Sequence, residues 1–124
     1  MSAMLSEHFS VDEWACKGKA CCGHSCPDPS LKLMMGLEEL RAMTPQKILR
    51  INCGYRCNEH NAEMGGAPES YHPRNMAADV SSPGMSGKQL ALQAEGIDAF
   101  RHGGIGVYPD RIHVDIGPMR RWTK

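Results

Sequence analysis

Two short segments of the sequence hold side chains that can bind a metal ion. Residues 70–79 (SYHPRNMAAD) contain His72 and Asp79, and residues 110–115 (DRIHVD) contain His113 among aspartates. Zinc accepts imidazole nitrogens and carboxylate oxygens at about 2.0 to 2.2 Å, and catalytic sites keep three protein ligands so that water can take the fourth position. The ion lowers the pKa of its water from about 15.7 towards roughly 7 and polarises a carbonyl under attack. Two histidines and a carboxylate suffice for a catalytic zinc site that hydrolyses a bond with metal-activated water, and the spacing alone also leaves open that they are ordinary polar residues.

The alternation of side chains along a strand predicts which of these residues share a face. If residues 111–116 form a strand, Arg111, His113 and Asp115 point to the same side. Asp110 has the wrong parity and can reach that side only from the preceding turn. Arg111 would point into the site and could stabilise a developing oxyanion. Asp115 could either orient His113 or be a solvated carboxylate at the edge of the sheet.

Helices and strands that would position these segments can be read along the chain. Capping residues and apolar spacing predict three helices: one beginning at Ser10, one from Asp28-Pro29 to Met43, and one from Ser86 to about Arg101. A short helix is also predicted over 58–64. Apolar runs predict four strands, at 48–51, 76–80, 105–108 and 111–116. The last two strands are predicted to form a hairpin around Pro109-Asp110. Residues 65–75, rich in Gly, Pro, Ser and Asn, are predicted to be an exposed loop.

The composition bounds the fold and the partners. The 124 residues predict one α+β domain over 1–124, a small antiparallel sheet flanked by helices. The chain has 14 Lys plus Arg and 14 Asp plus Glu, so its net charge is zero. No strong electrostatic field therefore favours binding to nucleic acid or to an anionic membrane. No apolar stretch is long enough for membrane insertion, and the first residues lack the pattern of a secretory signal. We expect a monomer that is synthesised in the cytoplasm.

The two metal-binding segments also resemble a known family. The pattern S-x-H-x-x-N-x-A-x-D over 70–79, followed by D-x-x-H over 110–113, is similar to the zinc D-Ala-D-Ala carboxypeptidase and L-Ala-D-Glu endopeptidase superfamily. Members of this superfamily include bacterial cell-wall enzymes and phage endolysins. The similarity extends to residues 6–10, 54–57, 60–61, 65–68 and 117–122, and so covers nearly the whole chain.

The resemblance implies roles for individual residues. Three would be the zinc ligands: His72, Asp79 and His113. Asp110 would be the general base that later protonates the leaving amine. Arg56 would bind a substrate carboxylate or carbonyl, with Ser70 assisting. The implied fold is like that of hedgehog and DD-peptidase domains, with the zinc in a cleft on the sheet.

The resemblance implies a murein hydrolase that cuts an amide bond in the stem peptide of peptidoglycan, of either the endopeptidase or the carboxypeptidase type. Arg56 would meet a free C-terminal carboxylate only in the second type. The apparent lack of a signal favours a phage or prophage endolysin that acts on the cell wall after release, although a bacterial intracellular peptidase stays open. The alternative is a non-catalytic, zinc-stabilised binding module of hedgehog-like type. Asp110 argues against that module, because a structural metal site needs no base.

Two positions depart from the family pattern. Asn75 stands where the family usually has Gly, and Arg111 stands where several branches carry a second His. The six cysteines leave three interpretations open: disulfides, a second, structural zinc site, or free thiols. They are Cys16, Cys21, Cys22, Cys26, Cys53 and Cys57.

Overall fold

The computed structural model of the chain describes residues 4–10, 14, 30–53 and 77–123. Its helices are α1 (Leu31–Met43), α2 (Gly87–Ala94) and α3 (Asp98–Arg101). Its strands are β1 (Arg50–Cys53), β2 (Ala77–Ser81), β3 (Gly104–Val107), β4 (Ile112–Asp115) and β5 (Arg120–Thr123). The α+β class is as predicted. The predicted helix at 58–64 and the predicted loop at 65–75 lie outside the described residues, as do all the cysteines except Cys53.

The five strands form one sheet in the order β1-β2-β4-β3-β5. The pairs β1–β2, β2–β4 and β3–β4 are antiparallel, and β3 and β4 form the predicted hairpin around Pro109-Asp110. The prediction of a wholly antiparallel sheet is wrong, because β5 pairs with β3 in parallel. The sequence of β5, RRWT, has no apolar alternation, and its residues are exposed except for the half-buried Trp122. Periodicity therefore gave no signal for this strand.

One face of the sheet packs against the helices and forms the core. Leu33, Leu37 and Leu40 of α1 are fully buried there, at the helical spacing that the sequence showed. Val80 and Val114 supply the sheet side of the same core. Each such side chain contributes roughly 1.5 to 3 kcal/mol through burial. Residues of opposite parity on β2 and β4, among them Asp79 and His113, consequently lie on the other face.

The helix predicted from Ser86 to Arg101 is two helices. Its start is confirmed: the Ser86 hydroxyl accepts a hydrogen bond from the Gln89 amide at 3.2 Å, and the Gln89 side chain accepts one from the Ser86 amide at 2.9 Å. The single long span is wrong, because Ile97 has extended backbone and buries its side chain in the core. The Ile97 carbonyl then accepts hydrogen bonds that begin α3. Burial of Ile97 outweighs the local helical preference around it.

The amino-terminal segment is tied to α1 through one carboxylate. Glu38 accepts hydrogen bonds from the Ser6 hydroxyl at 2.6 Å and from the His8 amide at 2.8 Å, and its second oxygen lies 2.7 Å from His8 Nδ1. Burial acts to raise the pKa of Glu38, but the contacts with Ser6 and His8 together outweigh burial and lower this pKa. These contacts hold Phe9 of the same segment in the core, where it is fully buried.

A lowered pKa makes the contribution of Glu38 depend on pH. The stabilisation is fully present above about pH 4.3, the usual value for a Glu in an unfolded chain, and is lost as the pH falls through the lower folded-state value. We expect Glu38→Gln to reduce the free energy of unfolding by about 1.5 kcal/mol at neutral pH. The deficit should shrink near pH 3 in denaturant titrations. Glu39→Gln, at the exposed neighbouring position, is the control. An equal loss of stability in Glu38→Gln at both pH values would contradict this account.

Candidate active site

Asp79 and His113 face each other across neighbouring strands. They are direct partners in the register of β2 and β4, and Asp79 Oδ1 lies 3.1 Å from His113 Nδ1. Their side chains are largely buried and retain 15% and 10% of their exposure, respectively. The structure thus brings together two of the three predicted ligands. The third, His72, lies outside the described residues.

The donor set of this pair fits a zinc ion. Two ligands of one tetrahedral zinc, each about 2.0 to 2.2 Å from the ion, lie roughly 3.3 to 3.6 Å from each other. The observed 3.1 Å between carboxylate oxygen and ring nitrogen is close to that separation. Within the described ranges, no group of three residues converges as a complete metal site. A third ligand would therefore have to come from elsewhere in the chain.

Asp115 lies beside His113 and is fully buried. Its carboxylate contacts His113 Nε2 at 2.7 Å and accepts hydrogen bonds from the amides of Gly104 and Gly117, both at 3.0 Å. Both its oxygens are 2.6 Å from Nη2 of Arg120. Burial acts to raise the pKa of Asp115, but the contacts with His113 and Arg120 outweigh burial and lower this pKa. Of the two interpretations of Asp115, the solvated edge carboxylate is therefore wrong.

A glycine in β3 lets the side chains of β4 and β5 meet. Gly106 pairs with His113 on one side and with Trp122 on the other. The Trp122 indole lies over Gly106, in the space that a Cβ would need. The rings of Trp122 and His113 are consequently 5.0 Å apart between centroids, at an interplanar angle of 49°. Trp122 thus forms one wall beside the Asp79–His113 pair.

Gly106→Ala tests this close approach. The added methyl group would overlap the indole and displace Trp122, and such overpacking typically costs about 1 to 3 kcal/mol. Gly96→Ala is the matched control, because a Cβ there would meet its nearest neighbour, the Gln93 carbonyl, at 3.4 Å. Thermal and denaturant unfolding should show a clear loss for Gly106→Ala and little change for Gly96→Ala. Equal stability of the two variants would contradict the packing described.

Asp110 and Arg111 lie in the turn before β4. The Asp110 side chain is 78% exposed, and it accepts a hydrogen bond from Arg111 Nη1 at 3.0 Å. The Arg111 guanidinium also lies 4.5 Å above the centroid of the Tyr108 ring. The regular strand begins only at Ile112, so Arg111 stands at the end of the hairpin turn, where the Tyr108 amide donates to its carbonyl. The oxyanion role of Arg111 stays a prediction.

The remaining predicted site residues, Arg56 and Ser70, lie outside the described residues. Sequence reasoning missed Arg120, whose guanidinium contacts Asp115 and lies 5.5 Å from the ring centroid of Trp122. The signal that could have found it is the alternation of Arg120 and Trp122 two positions apart, which on a strand puts both on one face. That signal required β5 to be recognised as a strand.

The chain is similar to a peptidase family and to peptidoglycan endopeptidases. The family described as Peptidase M15 matches residues 7–115, most of the chain. The chain is 37% identical over 81 residues to the probable peptidoglycan L,D-endopeptidase MepK of Haemophilus influenzae, covering 60% of this chain and 42% of that protein. It is 32% identical over 84 residues to the peptidoglycan L,D-endopeptidase MepK of Escherichia coli K12, covering 62% of this chain and 44% of that protein.

The chain therefore matches less than half the length of these relatives. No solved structure shows significant similarity to it. In the parts of the chain that the structure describes, no helix is long and apolar enough to cross a bilayer.

Proposed function

Because the chain belongs to the peptidase M15 family, we propose that it is a zinc-dependent peptidase that hydrolyses an amide bond in the stem peptide of peptidoglycan. The observation that carries the proposal is the Asp79–His113 pair, with carboxylate oxygen and ring nitrogen 3.1 Å apart on adjacent strands. The names of the two relatives, both peptidoglycan endopeptidases, support the substrate class. Action on the cell wall, by a phage or a bacterial protein, is part of this proposal.

In this proposal His72, Asp79 and His113 hold the zinc ion in a cleft on the sheet of a hedgehog-like fold. Zinc, when bound, is a Lewis acid that makes water nucleophilic near neutral pH and polarises a carbonyl. The Asp79 and His113 side chains keep 15% and 10% of their exposure, and a peptide would approach the pair from that exposed side.

Asp110 moves the proton. Its carboxylate takes a proton from the attacking water and gives it to the leaving nitrogen, so that an amine departs. Its side chain is mostly exposed in the turn before β4 and pairs with Arg111, so solvent and substrate have access to it. Arg111, in contact with Asp110, carries the positive charge that can stabilise the developing oxyanion. Arg56, assisted by Ser70, binds a carboxylate or carbonyl of the substrate.

Between the two bond types, we propose the endopeptidase. Both relatives are named L,D-endopeptidases, which supports cleavage of a bond between an L and a D centre rather than removal of a terminal D-Ala. In an endopeptidase Arg56 would bind an internal carbonyl or a side-chain carboxylate of the stem peptide. A carboxypeptidase would need a free terminal carboxylate at the same place.

Digestion of purified peptidoglycan tests the function. The products are separated and their new termini identified by mass spectrometry, with the protein as prepared, after chelation, and after zinc is restored. We expect new termini inside the stem peptide, their loss on chelation and their return with zinc. Stoichiometric zinc without new termini would overturn the peptidase and favour the binding module. Release of terminal D-Ala alone would leave the peptidase and overturn the endopeptidase assignment.

A further inference from the structure

The two ring nitrogens of His113 face two different carboxylates. Nδ1 lies 3.1 Å from the part-buried Asp79, and Nε2 lies 2.7 Å from the fully buried Asp115. An ionised carboxylate accepts hydrogen bonds and donates none, so a hydrogen bond to Asp115 requires a proton on Nε2. In a neutral imidazole the lone pair is then on Nδ1, the nitrogen next to Asp79. The contact with Asp115 thus determines which ring nitrogen carries the lone pair that can bind a cation.

Arg120 holds the Asp115 carboxylate in this position. Its Nη2 atom lies 2.6 Å from both carboxylate oxygens, and the amides of Gly104 and Gly117 donate to Oδ1. Arg120 reaches Asp115 across β3 because the residue between them is Gly104, where a Cβ would overlap both the carboxylate and the guanidinium. The buried Asp115 carboxylate is therefore held by three groups besides His113: the two amides and the guanidinium.

The neighbouring Arg121 shows what a structural ion pair on β5 looks like. Its guanidinium makes a two-pronged contact with Glu95 at 2.8 and 2.9 Å and donates to the carbonyls of Arg101 and Gly103. These partners join β5 to the helices. Arg120 and Arg121 are thus adjacent arginines with carboxylate partners, and only Arg120 is connected to His113.

We propose that Asp115, held by Arg120 through contacts that pass over Gly104, is a positioning residue that orients Nδ1 of His113 towards the catalytic metal ion. The inference rests on the proposed function, because it takes His113 as a zinc ligand. Carboxylates that accept from the second nitrogen of a metal-bound histidine fix its orientation, and their loss typically weakens metal binding 10- to 100-fold. Arg120 would act on His113 through Asp115, so its loss should also weaken metal binding, but by a smaller factor.

Zinc affinity of the full chain, measured by competition with a chromogenic chelator, tests the proposal. We expect Asp115→Asn to bind zinc about 10- to 100-fold more weakly and Arg120→Gln to bind several-fold more weakly. Arg121→Gln is the matched control: it should lower thermal stability and leave zinc affinity within about twofold of the wild type. Nitrogen-15 spectra of the zinc-loaded wild type should show the metal on Nδ1 of His113 and a proton on Nε2.

Three results would overturn the inference. The first is that Asp115→Asn and Arg120→Gln both bind zinc as tightly as a wild-type protein that itself binds zinc. Equal losses in Arg120→Gln and Arg121→Gln would reduce the effect to general destabilisation, and zinc on Nε2 in the spectra would reverse the assignment of the nitrogens. Absence of zinc binding by the wild type itself would instead overturn the metal site, and thus the proposed function. The two failures are therefore distinguishable.

Discussion

The His113→Ala protein is expected to lose its bound zinc and its ability to cut peptidoglycan. Removal of the imidazole leaves Asp79 without the nitrogen that lies 3.1 Å from its carboxylate. A catalytic metal ion supplies several kcal/mol of transition-state stabilisation, and each 1.4 kcal/mol is about a factor of ten in rate, so turnover should fall by at least about a thousandfold. Zinc content by mass spectrometry and the rate of appearance of new termini measure the two losses.

His113 also packs against Trp122, so its replacement could unfold the sheet. His113→Gln keeps a polar side chain of similar reach, and circular dichroism checks that each variant is folded. His102, exposed at the end of α3, is the matched histidine, and His102→Ala should keep both zinc and turnover. A folded His113→Gln protein with full zinc and near-normal turnover would show that His113 is not a ligand.

Local rules of strand geometry predicted part of this site. Alternation put His113 and Asp115 on one face, and β4 is regular enough for that to hold. The same rule, applied to Asp79 on β2, could not reveal that Asp79 and His113 are direct partners. That pairing depends on the register between β2 and β4, which the pattern of either strand alone does not determine.

The contact between Asp115 and Arg120 depends on how the strands are arranged in the sheet. Arg120 reaches it from β5, a strand that pairs with β3 in parallel, and the contact exists because Gly104 has no side chain. Two parallel strands cannot be joined by a tight turn, so their pairing depends on a long connection and on contacts between residues far apart in the sequence. The sequence showed the glycine and the arginine but gave no reason to connect them.

The same contrast explains the rest of the fold. The Pro109-Asp110 hairpin and the helix start at Ser86 rest on neighbouring residues, and both were predicted correctly. The break between α2 and α3 depends on the burial of Ile97 in a core that the other elements build. Caps and tight turns depend on a few neighbouring residues and can be predicted from the sequence. Helix breaks and parallel strand pairs depend on tertiary packing and cannot be predicted in this way.

The Asp110→Asn protein is expected to keep its zinc and lose most of its turnover. Asparagine has nearly the same shape but cannot take a proton from water, so a general base at this position would be abolished while the turn stays intact. General-base catalysis contributes typically 10²- to 10⁴-fold, and kcat should fall by about that factor. Zinc affinity should be unchanged, because Asp110 is not one of the proposed ligands. Steady-state kinetics on a defined stem peptide and chelator competition measure these two quantities.

Asp98 is the matched control for Asp110. Its side chain is 82% exposed and pairs with an arginine, Arg101, as Asp110 pairs with Arg111. Asp98→Asn removes the same charge from a surface ion pair, so its effect on kcat measures what loss of an exposed carboxylate does by itself. Equal kcat values for the two variants would reject Asp110 as the base. Loss of zinc from Asp110→Asn alone would instead make Asp110 a ligand, because a proton carrier need not touch the ion.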